Sequence, residues 1–322
     1  MPDITSQLQT LFADRLKEHE PLAKHVQFRI GGPARWLVDV RTVRELQEAI
    51  GVADAAGVPW FVMGGGSNTL PSDEGFSGLV LKLAMRQHRI EGTAVTAEAG
   101  VISVALARAT VEAGLQGFEW AISLPGTIGG AVRGNAGCFG GEMKDVVESA
   151  TLLRKGAIVE VPAAELRFGY RESALKCSRD IVLSASLRLS VTSDPAALKT
   201  KMEGILAKRK ASQPLQPGSA GCAFKNYDVR DTDEFERLAR DADVPEAMRA
   251  SGRLAAGWIV EQLDLKGTRI GGAKISREHG NFILNTGTAT ASDIVQLIAL
   301  VKTRARNRFG ITLEEEVQYV GF

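Results

Sequence analysis

Two glycine-rich runs constrain the fold of this 322-residue chain more than any other sequence feature. The first, residues 64–68, reads GGGSN and directly follows the apolar segment VPWFVM. Consecutive glycines let backbone N–H groups turn toward one point, and such a concavity binds phosphate or pyrophosphate without a charged side chain. A glycine-rich hairpin that holds no ligand is the alternative interpretation of the same residues.

The second run, residues 123–143, reads SLPGTIGGAVRGNAGCFGGEM. Its glycine density predicts neither a stable helix nor a central strand, so we expect its backbone to approach another group closely. Two such loops in one domain favour a single diphosphate-containing cofactor over two unrelated turns. The familiar nucleotide fingerprints are incomplete, because Thr69 replaces the last glycine of G-x-G-x-x-G and Ala273 replaces the lysine of a phosphate-binding loop.

Composition points to a globular protein that acts on small molecules. Hydrophobic residues make up 44% of the chain and charged residues 24%, and a net charge of +1 offers no basic excess for nucleic acid or an acidic membrane. The first residues lack a basic segment followed by an apolar run, and no stretch approaches the roughly 20 apolar residues that span a bilayer. We therefore expect a cytoplasmic protein with no nucleic-acid partner and no membrane insertion.

The three cysteines, Cys138, Cys177 and Cys222, are odd in number and lack C-x-x-C spacing. This pattern argues against a disulfide framework and a structural zinc site, so we expect reduced thiols and no bound metal. Cys222 lies in the stretch GSAGCAFKN, between Gly221 and Ala223. Beside such small neighbours a thiol is able to meet a ligand or to fill a core, and the spacing alone does not decide between these roles.

Apolar spacing predicts an α+β chain, and its length favours two domains. Helical periodicity marks the first segment and residues 43–56, whereas β-branched segments predict strands in VPWFVM, GLVLKLA, AVTAEAGV, SATLLRKGAIVEVP and DIVLSASLRLSV. A basic helical segment is then broken at Pro214, Pro217 and Gly218, which marks a domain boundary. The expected divisions are an N-terminal helix, a two-lobed first domain and a second domain, at residues 1–24, 25–195 and 205–322.

A long helix is predicted near the C-terminus. Thr290 and Asp293 have the spacing of a capping box, and Gly310 stands where a helix stop is expected. The residues between them carry an apolar stripe at helical spacing, made of Ile294, Leu297, Ile298 and Val301.

Two further segments carry candidate functional side chains. FGYRESALK joins Tyr170 to Arg171, and arginine is a planar bidentate ligand for carboxylate or phosphate, although a plain surface arginine is the alternative. A final strand is predicted over ITLEEEVQYV. Strand alternation would place Glu314 and Glu316 on one face and Glu315 among the apolar side chains, and periodicity does not choose between Glu314 and Glu316.

Eight motifs resemble, in order, those of the UDP-N-acetylenolpyruvoylglucosamine reductase (MurB) family: FRIGGPA, GGGSN, SLPGTIGGAV, GYRES, GSAGCAFKN, AAGWIVEQLDLKG, IGGAKISREHGNFILN and LEEEVQYVG. Together they extend over residues 28–321. The resemblance implies an FAD-binding domain of the vanillyl-alcohol-oxidase/PCMH type, followed by a MurB-type C-terminal α+β substrate domain. Such a domain holds the FAD pyrophosphate with glycine loops, which accounts for the missing fingerprints. The short connection after RLSV resembles the compact subtype of the family.

The resemblance also implies the cofactors. FAD would be bound non-covalently by both glycine-rich runs, and NADPH would be the hydride donor. The implied cofactor-binding residues are Gly64, Gly65, Gly66, Ser67, Asn68, Ser123, Pro125, Gly126, Gly129 and Gly130.

The family's catalytic motifs imply roles for three side chains. The arginine that follows tyrosine in GYR is Arg171, the glutamate that precedes valine in L-x-x-E-V is Glu316, and the proton donor is Cys222. The implied reaction is the reduction of UDP-N-acetylglucosamine enolpyruvate to UDP-N-acetylmuramate, in peptidoglycan precursor synthesis. The implied substrate-binding residues are Tyr170, Lys225 and Asn226.

The sequence departs from the family pattern at two places. Many members carry serine where this chain has Cys222; a thiol, with an ordinary pKa of about 8.5, also donates a proton, but it changes the expected pH profile and the sensitivity to oxidation. HVQFRIGG lacks the small hydroxyl residues expected before Phe28, which affects details of the flavin edge.

Two other functions are alternatives. One is an FAD-dependent sugar or alcohol oxidase of the same fold; such oxidases often tether flavin covalently, but neither His19 nor His25 has an attachment context. The other is a UDP-sugar-binding flavoprotein without turnover, against which the intact set of Arg171, Cys222 and Glu316 argues.

Overall fold

The computed structural model describes residues 3–214 and 218–322, so the break predicted at Pro217 lies outside the described residues. The described chain forms two compact units, each assembled from segments that are far apart in sequence. Unit 1 takes the described residues of Met1–Glu20, Ala34–Gly66 and Phe76–Ala211. Unit 2 takes those of Pro21–Pro33, Ser67–Gly75 and Ser212–Phe322.

The α-helices of the described residues are α1 (Ile4–Phe12), α2 (Val43–Ala55), α3 (Ser103–Glu112), α4 (Ile128–Gly134), α5 (Pro195–Ser212), α6 (Thr232–Asp241), α7 (Glu246–Ser251), α8 (Ala256–Gln262) and α9 (Ala291–Phe309). Short 3₁₀ helices occur at Ala13–Arg15, Leu22–Lys24, Glu119–Ser123, Met143–Asp145, Ala163–Leu166 and Ala174–Cys177.

The strands of the described residues are β1 (Lys17–Pro21), β2 (Pro33–Val40), β3 (Trp60–Met63), β4 (Thr69–Pro71), β5 (Phe76–Leu83), β6 (His88–Glu91), β7 (Ala94–Glu98), β8 (Leu115–Gln116), β9 (Gly137–Cys138), β10 (Gly141–Glu142), β11 (Val147–Arg154), β12 (Ala157–Pro162), β13 (Ile181–Arg188), β14 (Ser190–Val191), β15 (Tyr227–Asp228), β16 (Arg253–Leu254), β17 (Arg269–Ile270), β18 (Ala273–Ile275), β19 (Ile283–Asn285) and β20 (Gln318–Val320).

Unit 1 is built on two sheets whose side chains join one apolar core. In the first sheet the strand order is β1-β2-β5-β3, and β5 pairs in parallel with β2 and β3. Leu79, Val80 and Leu81 of β5 are all fully buried, as expected for a strand that is covered on both faces. The second sheet is antiparallel with the order β12-β11-β13-β7-β6.

The strand segments predicted between residues 58 and 191 all contain strands, namely β3, β5, β7, β11 with β12, and β13 with β14. SATLLRKGAIVEVP, predicted as one segment, forms the two strands of the β11–β12 hairpin. The hairpin turns at Lys155 and Gly156, whose φ angles are 50° and 83°. Positive φ at both central residues is typical of the turn that matches the twist of paired strands. The helix predicted over residues 43–56 is confirmed as α2, and Thr42 caps it by accepting a hydrogen bond from the Glu45 N–H at 3.1 Å.

The expectation that residues 123–143 contain no helix is wrong at α4. Ile128 and Gly129 at the start of this helix donate backbone hydrogen bonds of 2.9 Å to the carbonyls of Val101 and Ala99. A Cβ on Gly129 would lie only 2.7 Å from the Cβ of Ala99. Glycine at this position therefore allows α4 to pack closely against Ala99, which follows β7. This tertiary contact outweighs the low helix propensity of glycine.

Unit 2 contains the three-stranded sheet β17-β18-β19, the antiparallel pair β15–β16 and the parallel pair β4–β20. The helix α9 begins and ends as predicted. Thr290 and Asp293 form a capping box, and Gly310 ends the helix with a φ of 65°. The predicted apolar stripe of α9 is buried.

The prediction of a strand over ITLEEEVQYV is wrong for most of the segment, because only its last three residues, β20, form a strand. Its partner β4 has just three residues, so the ladder cannot extend further. Tyr319 is 36% exposed, and its neighbour Val320 is buried. Glu315 forms an ion pair of 2.6 Å with Lys302 and accepts a hydrogen bond from the Tyr319 hydroxyl.

No helix within residues 3–214 and 218–322 has the length and apolar character needed to cross a membrane. In the same ranges, no group of three or more His, Cys, Asp or Glu side chains is arranged to hold a metal ion.

Candidate functional site

The two glycine-rich runs lie against each other in unit 1. A Cβ on Gly64 would lie 2.5 Å from the Thr127 Oγ1, and a Cβ on Gly65 would lie 2.9 Å from the Gly126 Cα. These distances leave no room for side chains, so both positions require glycine. The expectation that the second run approaches another group closely is therefore confirmed, and one of the groups it approaches is the first run.

A buried hydroxyl lies at this junction of the glycine-rich runs, and a second one lies on the residue that follows Ile102. Ser103 Oγ and Thr127 Oγ1 have no hydrogen-bond partner among the described residues. Thr127 belongs to the second run, and its Oγ1 faces Gly64 of the first. Ser103 adjoins the second run, because its N–H donates to the Gly126 carbonyl at 3.1 Å. Buried hydroxyls normally have partners. The junction therefore fits a polar, oxygen-rich group such as a diphosphate.

Three other predicted cofactor residues flank the junction. Gly129 is buried against Ala99, so packing accounts for its missing side chain. Gly130 is exposed and Pro125 is half-buried. Gly66, which has a φ of 61°, ends the part of the first run that belongs to unit 1.

Ser123 connects the second glycine-rich run to α5 and to a thiol. Its carbonyl accepts a hydrogen bond from the Arg209 guanidinium, and its Oγ lies 3.4 Å from the Cys138 Sγ. Burial raises the pKa of the Cys138 thiol, although Ser123, Arg209 and Arg171 act in the opposite direction. The thiol of Cys138 is therefore protonated and weakly nucleophilic at neutral pH.

Arg171 lies on a two-residue turn in unit 1. Gly169 and Glu172 close the turn with two backbone hydrogen bonds of 3.0 and 3.1 Å. The Arg171 Nη2 donates to the Gly137 carbonyl at 2.7 Å. Its Cζ lies 5.3 Å from the centroid of the Tyr170 ring, within the range of a cation–π interaction.

Cys222 lies on a loop of unit 2 that is held by a neighbouring segment. Cys222 forms an isolated bridge with Phe282, and the Ala223 N–H donates to the Asn281 carbonyl at 2.8 Å. The Asn281 side chain accepts from the Phe224 N–H at 2.9 Å and donates to the Phe224 carbonyl at 2.8 Å. Since Asn281 is only 2% exposed, these bonds fix the loop from inside the unit.

Glu316 adjoins the Cys222 loop from its other side. The Glu316 N–H donates to the Ala223 carbonyl at 2.8 Å. Asn68 then holds the Glu316 segment, because its Nδ2 donates to the Glu316 carbonyl at 2.8 Å and its carbonyl accepts from the Gln318 N–H at 2.9 Å. The structure therefore brings Cys222, Glu316 and Asn68 together in unit 2, where half-buried Ser67 precedes Asn68.

The other predicted residues near this loop have protein partners. The Lys225 Nζ lies 3.0 Å from the Glu314 Oε2, and the Asn226 Oδ1 accepts from the Ala256 N–H at the start of α8 at 3.1 Å. Glu314 and Glu315 are thus both in ion pairs, with Lys225 and Lys302.

Comparison with known proteins accounts for this arrangement. The UDP-N-acetylenolpyruvoylglucosamine reductase C-terminal domain family matches residues 213–320, and an FAD binding domain family matches residues 34–161. A UDP-N-acetylenolpyruvoylglucosamine reductase of Clostridioides difficile (strain 630) is 36% identical over 98% of this chain and 96% of its own length. That of Synechococcus sp. (strain JA-3-3Ab) is 39% identical over 95% of this chain and 92% of its own. This chain belongs to the UDP-N-acetylenolpyruvoylglucosamine reductase family.

A solved structure supports the family assignment. The crystal structure of UDP-N-acetylenolpyruvylglucosamine reductase (MurB) from Thermus caldophilus matches with a TM-score of 0.75 and 33% identity, covering 95% of this chain and 99% of that one. The predicted α+β fold, with an FAD-binding domain and a MurB-type C-terminal domain, is thereby confirmed. The protein is an FAD-dependent oxidoreductase.

Sequence reasoning missed three side chains of this family member that shape the loops. Thr127 lies at the glycine junction, Asn135 donates to the Gly169 carbonyl at 2.7 Å, and Asn281 holds the Cys222 loop. All three lie inside the second glycine-rich run or a family motif. A polar residue among glycines and small apolar residues was the available signal, but only the fold shows that these side chains are buried.

Proposed function

We propose that this protein catalyses the NADPH-dependent reduction of UDP-N-acetylglucosamine enolpyruvate to UDP-N-acetylmuramate through non-covalently bound FAD. The reaction belongs to peptidoglycan precursor synthesis and suits a cytoplasmic enzyme that has small-molecule partners and no nucleic-acid partner. The proposal is supported by relatives that carry the name of this reductase and align over nearly the whole chain.

One observation at the site carries the proposal. The hydrogen bond of 2.8 Å from the Glu316 N–H to the Ala223 carbonyl joins the segment of Glu316 to that of Cys222. Two side chains able to handle protons therefore start from adjoining backbone segments. Fixed spacing of this kind is what general acid catalysis requires, because the proton donor must be held within reach of the reacting atom.

The residues proposed to hold FAD belong to the two glycine-rich runs. Backbone N–H groups of these runs would bind the diphosphate, and the Thr127 hydroxyl lies at their junction. When bound, FAD accepts a hydride from NADPH and supplies it to the terminal carbon of the enolpyruvyl double bond. The assigned residues are Gly64, Gly65, Gly66, Ser67, Asn68, Ser123, Pro125, Gly126, Gly129 and Gly130.

Side chains of the protein stabilise the charge that develops on the substrate and supply the proton that the product requires. Arg171 binds the enolpyruvyl carboxylate and stabilises the negative charge that develops there during reduction. Glu316 orients this group, donating a hydrogen bond when it is protonated. The Cys222 Sγ–H gives its proton to the carbon next to the carboxylate, which completes the lactyl ether; a positioned acid is worth about 100- to 10,000-fold in rate. The proposed substrate contacts are Tyr170, Lys225 and Asn226.

The spectrum of the purified protein tests the proposal. We expect a yellow protein that releases one FAD per chain on acid denaturation. Anaerobic NADPH should bleach it, and UDP-N-acetylglucosamine enolpyruvate should then restore the oxidised spectrum. Colourless protein that FAD does not reconstitute would contradict the proposal. Oxygen consumption with simple sugars would support the oxidase alternative, and substrate binding without reoxidation would support the flavoprotein without turnover.

A further inference from the structure

Arg171 occupies a backbone conformation that depends on outside support. Its φ is 56°, in the left-handed region where the Cβ of a non-glycine residue crowds the following carbonyl. The two hydrogen bonds between Gly169 and Glu172 close the turn but involve only its ends. The Lys176 Nζ donates to the Arg171 carbonyl at 2.6 Å, which ties down the strained residue itself.

Asn135 links this turn to the body of unit 1. It is fully buried, and its Nδ2 donates both to the Gly169 carbonyl at 2.7 Å and to the Glu142 Oε2 at 2.8 Å. Its Oδ1 accepts from the Lys144 N–H at 2.9 Å. The amide orientation follows from these partners, since a reversed amide would set its oxygen against a carbonyl and a carboxylate. Both donors and the acceptor of the side chain are thus engaged.

The loop that Asn135 organises also receives the guanidinium of Arg171. The Gly137 carbonyl, which accepts from the Arg171 Nη2 at 2.7 Å, belongs to β9. Gly137 is paired with Glu142 across the β9–β10 hairpin, and the carboxylate of Glu142 is the second partner of the Asn135 amide. The turn under Arg171 and the acceptor of its guanidinium are therefore fixed to one loop, residues 135–144.

We propose that Asn135 is a positioning residue that holds Arg171 in the orientation required for reduction of the enolpyruvyl group. The inference rests on the proposed function, which gives Arg171 its role. Being fully buried, Asn135 acts only through the turn and the loop. Its removal takes one of the donors from the Gly169 carbonyl and one from the Glu142 carboxylate, although Glu172 and Lys144 still contact them. The turn under Arg171 and the loop that accepts from its guanidinium are then no longer joined by this side chain. Misplacement of a reacting group by about 1 Å costs on the order of 100-fold in rate, so we expect a loss of about 10- to 100-fold.

Asn135→Gly is the most informative variant. Asn135 has a φ of 41°, so glycine removes the amide while it keeps the backbone conformation free of strain. In stopped-flow experiments, reduction of the flavin by NADPH should keep its wild-type rate. Reoxidation by UDP-N-acetylglucosamine enolpyruvate should slow by about 10- to 100-fold. The ratio of FAD to protein should be unchanged.

A double-mutant cycle with Arg171→Ala separates positioning from general damage. If Asn135 acts through Arg171, adding Asn135→Gly to Arg171→Ala should change the reoxidation rate by less than about two-fold, because coupled residues are not additive. Losses that multiply would overturn the inference. Leu152→Ala, in the buried part of β11, is the control: it should lower the melting temperature while it leaves the reoxidation rate unchanged.

The outcomes distinguish the two proposals. Wild-type reoxidation in Arg171→Ala would refute the role that the proposed function gives to Arg171. Slow reoxidation in Arg171→Ala together with wild-type reoxidation in Asn135→Gly would refute the positioning role alone. If Asn135→Gly does not fold, Asn135→Asp takes its place in the same cycle, because it keeps the size of the side chain and removes both N–H donors.

Discussion

Cys222 shows how a residue in a glycine-flanked stretch is held in place. Gly221 has a φ of 82° and open space around its Cα, as the sequence suggests for a loose turn. Directly after Cys222, however, Ala223 donates to the Asn281 carbonyl and accepts from the Glu316 N–H, each at 2.8 Å. The cysteine is half-buried, whereas a core-filling thiol would be fully buried. Its surroundings therefore favour a functional thiol over a packing role.

Substitution of Cys222 tests its role as proton donor. Cys222→Ala should keep bound FAD and its reduction by NADPH but lose turnover by about 100-fold or more, because the positioned acid is missing. Cys222→Ser should recover much of the activity, since a hydroxyl also donates a proton. The alkaline limb of the pH–rate profile of Cys222→Ser should differ from that of the wild type if this limb reports ionisation of the thiol. Steady-state rates from pH 6 to 10 measure both effects.

A thiol elsewhere in the chain provides the control for this prediction. Cys177 is exposed, so Cys177→Ala removes the more accessible thiol and should leave turnover unchanged. Alkylation of the Cys177→Ala protein should still inactivate it, and substrate should protect. Wild-type turnover in Cys222→Ala would return this cysteine to a packing role.

The helix α9 depends on a residue from a distant segment. Beyond its own capping box, its first two N–H groups are bound by Asp73, which accepts from Ala291 at 2.7 Å and from Ser292 at 3.0 Å. These N–H groups have no partner inside the helix, and a carboxylate also interacts favourably with the positive end of the helix dipole. Asp73 thus ties the segment before β5 to the longest helix of the described residues.

Removal of this carboxylate should destabilise unit 2. Asp73→Ala should lower the free energy of unfolding by about 1.5–3 kcal/mol, the range for hydrogen bonds to a charged group. Thr290→Ala removes only the local cap and should cost about 1 kcal/mol. Urea unfolding measures both losses. An unchanged midpoint for Asp73→Ala would mean that water replaces the carboxylate without loss.

The buried carboxylate of Glu234 in α6 predicts a pH dependence of stability. Its hydrogen bonds with Arg230 lower its pKa to about 2, and it also accepts from the Tyr227 hydroxyl at 3.0 Å. The ordinary pKa of glutamate is about 4.3, so folding favours the ionised form. The stabilisation is therefore complete above that pH and is lost as the pH falls toward 2.

Glu234→Gln should thus be less stable than wild type at pH 7 by about 1.5 kcal/mol, near the low end for charged hydrogen bonds because Arg230 is largely exposed. The difference between the two proteins should shrink between pH 5 and pH 3. Urea melts at pH 7, 5, 4 and 3 check the trend, and a difference that stays constant with pH would contradict the assigned cause.

Elements with local signals could be predicted from the sequence. The capping box of α9 and its stop at Gly310 each depend on residues close in sequence. The final strand and α4 could not be predicted. The length of β20 is limited by the three residues of its partner β4, and α4 is stabilised by the close packing of Gly129 against Ala99. Periodicity contains no information about the length of a partner strand.

Assembly from distant segments also limits what the sequence predicts about the candidate site. The resemblance identified the motifs that contain Asn68 and Glu316, but the hydrogen bond between them joins positions 248 residues apart. Asn68 was expected only as a cofactor contact, and its Nδ2 is bound to the Glu316 backbone. The hydrogen bonds that position a functional residue depend on how distant segments assemble within each unit. A single sequence contains no direct record of that assembly.

Removal of the cofactor would relate the glycine junction to the stability of the whole chain. Thr127 has a hydroxyl without a partner among the described residues at this junction, and an unsatisfied buried group costs about 1–3 kcal/mol. A diphosphate that gave this hydroxyl a partner would relieve that cost. FAD at 100 times its Kd stabilises a protein by about 2.7 kcal/mol, and 1 kcal/mol corresponds to about 2–4 °C for 150–250 residues.

Calorimetry of the protein with FAD removed should therefore give a melting temperature about 5–10 °C below that of the FAD-bound protein, and added FAD should restore it. Thr127→Val, which keeps the shape of the side chain, should reduce this difference by weakening FAD binding while leaving the FAD-free protein at least as stable, because it removes an unpaired hydroxyl. Thr110→Val is the matched control, since the buried Thr110 hydroxyl already donates to the Ala107 carbonyl at 3.0 Å; it should lower both melting temperatures equally. An equal loss in both forms for Thr127→Val would mean that its hydroxyl serves packing and that the cofactor binds elsewhere.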